Sequence, residues 1–133
     1  MTFTIALPIA DRSASHAFYR AVLDAEPFGP PGGDGLPEPL QFPVADGVSL
    51  MLVPTDGFGW VIGDHRVAPA GTSECVLNRS VPAHADVVAV IERARAAGGR
   101  VVTEPADQPW GYAGAFADPD GHLWMVMPAP DEG

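Results

Sequence analysis

The side chains best suited to acid–base chemistry lie in a predicted strand at residues 74–81. Side chains alternate along a strand, so Glu74 and Asn78 share one face with Val76 and Ser80. A buried carboxyl group has a raised pKa, which makes Glu74 a candidate general base, and buried polar groups need partners. Glu74 and Asn78 are therefore predicted to contact a ligand. The alternative is a strand edge that is open to water.

Aromatic side chains occur in two segments outside the predicted helices. Trp110 and Tyr112 precede a strand, and Phe58 and Trp60 lie in a predicted loop at 55–71. Each can stack on a planar ligand, because an aromatic ring offers a large apolar face. The alternatives are a dimer contact for the first pair and packing on the chain's own core for the second.

The cysteine and histidines suggest no further catalytic group. Cys75 is the only cysteine, so it forms no internal disulfide, and alternation predicts that it is buried under a helix. His16, His84 and His122 are predicted at the surface, and His65 lies in the loop at 55–71. Their spacing indicates no Ser–His–acid arrangement.

The charge balance excludes some classes of partner. Asp and Glu total 17 and Lys and Arg total 7, which gives a formal net charge of −10. We therefore expect no nucleic-acid partner and no anionic membrane surface, and the charge favours a neutral or cationic small molecule. The chain has no apolar run long enough to span a membrane, and its N-terminus is a poor signal peptide, so the sequence predicts a cytoplasmic protein.

The 133 residues contain an internal repeat. Residues 42–54 and 116–128 match at a shift of 74, and both read as two strands joined by an Asp-Gly turn. The same elements precede each hairpin: a strand, then a helix, which Asp11 or Ser13 caps in the first half and Pro82 opens in the second. Residues 27–39 hold five Pro and four Gly, so the second strand of the first half must be short. Each half is thus predicted as strand, helix and about three strands.

This order of elements resembles the vicinal oxygen chelate superfamily, which includes glyoxalases, bleomycin-resistance proteins and dioxygenases. The resemblance rests on PIADRSASHAFYRAVL at 8–23 and PWGYAGAFADPDGHLWMV at 109–126. It implies an α+β fold of two tandem βαβββ modules, whose curved mixed sheet forms a cup-shaped cavity, and it implies a homodimer. The chain is then one domain over 1–133, with module 1 at about 1–55, a linker at about 56–71 and module 2 at about 72–128.

The resemblance also implies where a metal ion is held in the family's enzymes. The corresponding positions here are Thr4, Met51, Val76 and Met125. These residue types are not a ligand set for a divalent ion, so we expect no metal and no other cofactor. Met51 and Met125 are instead expected to line an adaptable apolar cavity. The alternative is that each methionine fills the chain's own core.

Three hypotheses follow. The first is a protein that binds a small aromatic or cationic molecule in a metal-free cavity. The second is an enzyme of the lyase, isomerase or dioxygenase type, with a non-standard metal site or with Glu74 as a metal-free base. The third is a non-catalytic interaction module whose cavity is filled by its own side chains.

Overall fold

The computed structural model describes residues 2–130, which form two compact units that divide between Pro69 and Ala70. Each unit packs a mixed sheet on one long helix, which confirms the predicted α+β class. The first unit contains β1 (Phe3–Ile9), α1 (Arg12–Leu23), β2 (Leu40–Ala45), β3 (Val48–Pro54) and α2 (Thr55–Val61). The second contains β4 (Val76–Val81), α3 (His84–Ala96), β5 (Arg100–Gln108), β6 (Gly111–Ala117) and β7 (Leu123–Pro128). None of the helices among residues 2–130 is long and apolar enough to cross a membrane.

The first sheet has three strands in the order β1-β3-β2, with β1 parallel and β2 antiparallel to β3. The Asp11 carboxylate accepts a hydrogen bond from the Ala14 N–H and so caps α1. Phe18, Tyr19 and Val22 follow at helical spacing and are buried on the sheet. The short second strand predicted within 27–39 does not form, because prolines and glycines there disfavour a sheet ladder.

The predicted linker is not a loop throughout. Residues 55–61 form α2, which begins directly after β3. The Thr55 hydroxyl donates to the Ile9 carbonyl over 3.1 Å and ties the start of this helix to the end of β1. Gly57 and Gly59 lower the intrinsic helix propensity, so this tertiary contact explains why the sequence pattern failed to predict the helix.

The second sheet has four strands in the order β4-β7-β6-β5, with β4 parallel to β7. The helix α3 packs on one face of it through buried Val87, Val90, Ile91 and Ala94. The closest approach is at Gly114 in β6, where an added Cβ atom would lie 2.9 Å from the Ile91 side chain. The absence of a side chain at Gly114 thus allows α3 to pack closely against the sheet.

Arg12 at the start of α1 forms hydrogen bonds and ion pairs with the Pro/Gly-rich segment 27–39. Its Nε donates to Asp34 over 2.9 Å and its Nη2 to the Pro37 carbonyl over 2.7 Å, while its Nη1 lies 2.9 Å from the Glu38 carboxylate. The hydrogen bond from Arg12 lowers the pKa of the Asp34 carboxyl group, and the same bond raises the pKa of Arg12. Several contacts from one side chain therefore order a segment that has no regular structure.

We expect Arg12→Ala to lower the free energy of unfolding by about 1 kcal/mol, because the mutation removes backbone and carboxylate contacts together. Since the pKa of Asp34 is lowered on folding, its contribution is present above the unfolded pKa of about 3.9 and is lost as the pH falls through the folded pKa. Urea unfolding near neutral pH and near pH 3 measures both effects. Arg20→Ala, which breaks a more exposed pair with Glu26 (2.7 Å), is the control and should cost less. Equal losses for the two variants at neutral pH would contradict the assignment.

Candidate functional site

Each sheet has one face covered by its long helix and an opposite face that we call the open face. In the first sheet Leu50 and Leu52 point to the helix side and are buried, whereas Ser49, Met51 and Val53 alternate to the open face and are half-buried. In the second sheet Trp124 and Val126 are buried, whereas Leu123, Met125 and Met127 are half-buried. Trp124 therefore packs on the helix side of its sheet.

Met51 lies at the centre of the first open face. The register places Ala6 of β1 on one side of it and Gln41 of β2 on the other. The Gln41 amide nitrogen donates to the Ser49 hydroxyl over 2.6 Å, and the Ser49 and Thr4 hydroxyl oxygens are 3.1 Å apart. A row of neutral hydrogen-bonding groups therefore borders the thioether.

Met125 lies at the equivalent place on the second open face. Its register partners are Asn78 of β4 and Ala115 of β6. The Asn78 side chain is exposed, and Met125 is half-buried. Both sheets thus place a methionine between one alanine and one primary amide, although the amide is on the antiparallel neighbour in one sheet and on the parallel neighbour in the other.

The segment before β4 differs from its predicted structure. The strand begins at Val76, so Glu74 and Cys75 precede it, and both are exposed. The prediction that Cys75 is buried under a helix is therefore wrong. The structure also gives Glu74 none of the burial on which its role as a general base depends.

Tyr112 lies on the helix side of the second sheet rather than on the open face. It has the same strand parity as Gly114, whose missing Cβ points at Ile91 of α3. Its ring stacks on the imidazole of His84, the first residue of α3, with centroids 4.1 Å apart and planes 3° from parallel. The structure therefore does not bring Tyr112 together with Met125 and Asn78.

The remaining aromatic candidates leave ring surface in solvent. Trp110, in the turn before β6, is 59% exposed, and Trp60 in α2 is 84% exposed. Phe58, also in α2, is half-buried. All three rings can therefore contact a ligand or another molecule at the surface.

Gln41 is the site residue that sequence reasoning missed. It stands between Leu40 and Phe42, which are both fully buried, so alternation alone places Gln41 on the opposite face. Its contact with Ser49 depends on the register of the β2–β3 hairpin. The Asp-Gly turn that fixes this register was the available signal.

The chain matches a protein-family model over nearly its whole length. Residues 3–126 match the model of the Glyoxalase/Bleomycin resistance protein/Dioxygenase superfamily. The chain belongs to this superfamily. A search of curated proteins finds no match to the sequence.

Several solved structures share the fold. The chain is 27% identical to a glyoxalase-related enzyme from Fulvimarina pelagi, with a TM-score of 0.79 over 98% of this chain and 88% of that one. A protein from Agrobacterium tumefaciens is 26% identical, with a TM-score of 0.70 over 96% of both chains. A hypothetical protein from S. aureus, 22% identical, has a TM-score of 0.78 over 97% of this chain and 92% of that one and shows the fold alone.

The residues at the four positions where the resemblance implies a metal ion do not fit a divalent ion. Met51 and Met125 present thioethers and Val76 a hydrocarbon, and the Thr4 hydroxyl lies against Ser49. A Zn²⁺, Fe²⁺ or Mn²⁺ ion requires imidazole, thiolate or carboxylate donors. Within residues 2–130, no group of three or more His, Cys, Asp or Glu side chains is arranged to hold a metal. We therefore derive no chemical step through a metal.

Proposed function

We propose that this superfamily member binds a small molecule with an aromatic or cationic part on an open sheet face, without a metal or another cofactor. The observation that carries the proposal is the repeated arrangement of Met51 and Met125, each between an alanine and a primary amide. The alanines leave space beside each thioether, and the amides of Gln41 and Asn78 provide directed hydrogen bonds.

The chemistry of these faces suits an aromatic group. A thioether is flexible and polarisable, and its contact with an aromatic ring contributes about 0.3–1.5 kcal/mol. Sites for small molecules combine such apolar surface with a few polar groups that fix orientation. Phe58, Trp60 and Trp110 are further candidates for ring contacts, because each leaves surface open to solvent.

Charge supports the cationic alternative. The net charge of −10 attracts cations at long range. The exposed Glu74 carboxylate, two residues before β4, is a candidate for pairing with a positively charged ligand group. Salt screens such attraction beyond about 8 Å, so charge favours encounter more than it fixes the bound ligand.

A thermal-shift titration with benzyltrimethylammonium and with neutral benzyl alcohol tests the proposal. Ligand at about 100 times its dissociation constant should stabilise the fold by about 2.7 kcal/mol. We expect Met51→Ala combined with Met125→Ala to reduce the shift, because the substitutions remove both thioethers from the open faces. Val88→Ala, on the exposed side of α3, is the control and should leave the shift unchanged. No shift with either compound, or equal shifts in all variants, would refute the proposal.

We also propose a cytoplasmic homodimer. The edge strands β1 and β4 carry large apolar side chains in solvent, since Phe3 is 63% and Val76 47% exposed, and a second copy would cover such residues. The exposed free thiol of Cys75 suits a reducing compartment. Sedimentation velocity of the protein and of Phe3→Glu tests the dimer, and a monomer at all concentrations would exclude it. Cell fractionation tests the location, and recovery outside the cytoplasm would exclude it.

A further inference from the structure

A groove lies at the end of the second open face next to the β6–β7 turn. Its volume is about 460 Å³, which falls within the range of small-molecule sites. Its apolar lining residues include Val102, Ala117 and Leu123. Its polar lining includes Arg100 and the turn at Asp118–Gly121.

Strand register puts Arg100 on the same face as Met125. Arg100 pairs with Ala117, and Ala117 pairs with Leu123, so these three residues form one row across β5, β6 and β7. Leu123 is two residues from Met125 on the same strand face, which separates the two rows by about 7 Å. The groove is therefore continuous with the face on which Met125 and Asn78 lie.

Arg100 is the cationic group in this groove, and it has no ion pair within residues 2–130. Three other arginines are engaged in ion pairs: Arg12, Arg20 and Arg95. Arg100 is exposed and has no carboxylate within 4.0 Å in the described part of the chain.

The groove also contains two carboxylates, Asp118 and Asp120. Asp118 is 4% exposed, and its Oδ1 accepts hydrogen bonds from the Asp120 and His122 N–H groups, each over 2.9 Å. These donors offset its charge within the turn. Both carboxylates lie at the β6–β7 turn, so a ligand's negative group is best accommodated on the β5 side, at Arg100.

We propose that Arg100 binds the carboxylate of a small ligand whose apolar body lies over Ala117 and Leu123 toward Met125. A guanidinium group matches a carboxylate with two parallel hydrogen bonds, which an ammonium or an amide does not. The proposal rests on the proposed function in using the same sheet face, and it narrows the ligand to an aromatic molecule that carries a carboxylate.

The net charge of −10 does not oppose this pairing at contact distance. Charges farther away than about 8 Å are largely screened at physiological ionic strength. A contact between Arg100 and a ligand carboxylate is shorter than this. Added salt should therefore reduce the long-range repulsion between the acidic protein and an anionic ligand. It should weaken the short contact between Arg100 and the ligand carboxylate only in part.

Titration of the ¹⁵N-labelled protein with benzoate and with its neutral isostere benzamide tests the inference. We expect benzoate to shift the amide signals of Gly98, Gly99 and Gly121, which line the groove. Benzoate should bind about tenfold more tightly than benzamide, because only benzoate forms the charge-assisted pair. Arg100→Gln should remove this difference.

Arg93→Gln is the matched control, because Arg93 is an exposed arginine of α3 that is absent from the groove and from the ion pairs among residues 2–130. It should retain the preference for benzoate. Thermal unfolding of both variants establishes that they are folded. Val102→Trp, which fills the groove from the exposed bulge in β5, should weaken both ligands.

The outcomes separate this inference from the proposed function. Equal binding of benzoate and benzamide that Arg100→Gln leaves unchanged would overturn the role of Arg100 but would leave an aromatic site on the open face. Equal losses in Arg100→Gln and Arg93→Gln would indicate nonspecific charge and would also overturn it. Failure of both ligands to bind would refute the carboxylate site, and the thermal-shift titration then decides the proposed function separately.

Discussion

Trp124→Ala should lower the free energy of unfolding by about 3–5 kcal/mol. The indole is 2% exposed and stacks on the fully buried Phe116 ring, with centroids 6.0 Å apart and planes 5° from parallel. Removing it leaves a large cavity between α3 and the second sheet. The neighbouring strands are paired on both sides of β7, so the backbone has little freedom to close that cavity.

Met125→Ala is the control, because it truncates the next residue on the same strand. Met125 is half-buried on the open face, so we expect the substitution to cost much less stability than Trp124→Ala. The same substitution should weaken binding of the aromatic probes, whereas the Trp124 side chain lies on the other face of the strand. Urea unfolding measured beside the thermal-shift titration gives both quantities. Comparable stability losses in the two variants would contradict the assignment of Trp124 to a buried face and of Met125 to the open face.

Alternation and turn chemistry made much of this site predictable. The Asp-Gly turns fix the hairpins of both halves, and period-two alternation then separates Met125 from Trp124. The same reasoning placed Met51 opposite the buried Leu50 and Leu52. These predictions depend on local backbone geometry, which a sequence encodes directly.

Other features depend on contacts between distant residues, which the pattern of one segment does not contain. Tyr112 stacks on His84 because α3 crosses the sheet at the glycine at position 114. Arg100 joins the open face through its pairing with Ala117 on the neighbouring strand. Cys75 is exposed because β4 starts one residue after it. Errors of one or two residues in a strand boundary thus decide whether a side chain is buried.

Asp118→Ala should lower the free energy of unfolding by about 2–4 kcal/mol, because the mutation leaves two N–H groups of the β6–β7 turn without their charged acceptor. The Asp118 backbone also belongs to this turn: its N–H donates to the His122 carbonyl, and its carbonyl accepts from the Gly121 N–H, each over 2.9 Å. Asp118→Asn keeps an oxygen acceptor and should cost less. Urea unfolding measures both losses.

The internal repeat supplies the control for this prediction. At the shift of 74, Asp118 aligns with Val44, and Asp120 aligns with the exposed Asp46. The first hairpin therefore forms with an apolar residue in place of the buried carboxylate, and Asp46→Ala should change stability by less than about 0.5 kcal/mol. Asp118 also holds the turn that lines the groove beside Arg100, so Asp118→Ala should disorder that wall of the groove and weaken benzoate binding as well. A variant that loses stability but keeps the full preference for benzoate over benzamide would show that the turn supports the fold and contributes nothing to the carboxylate site.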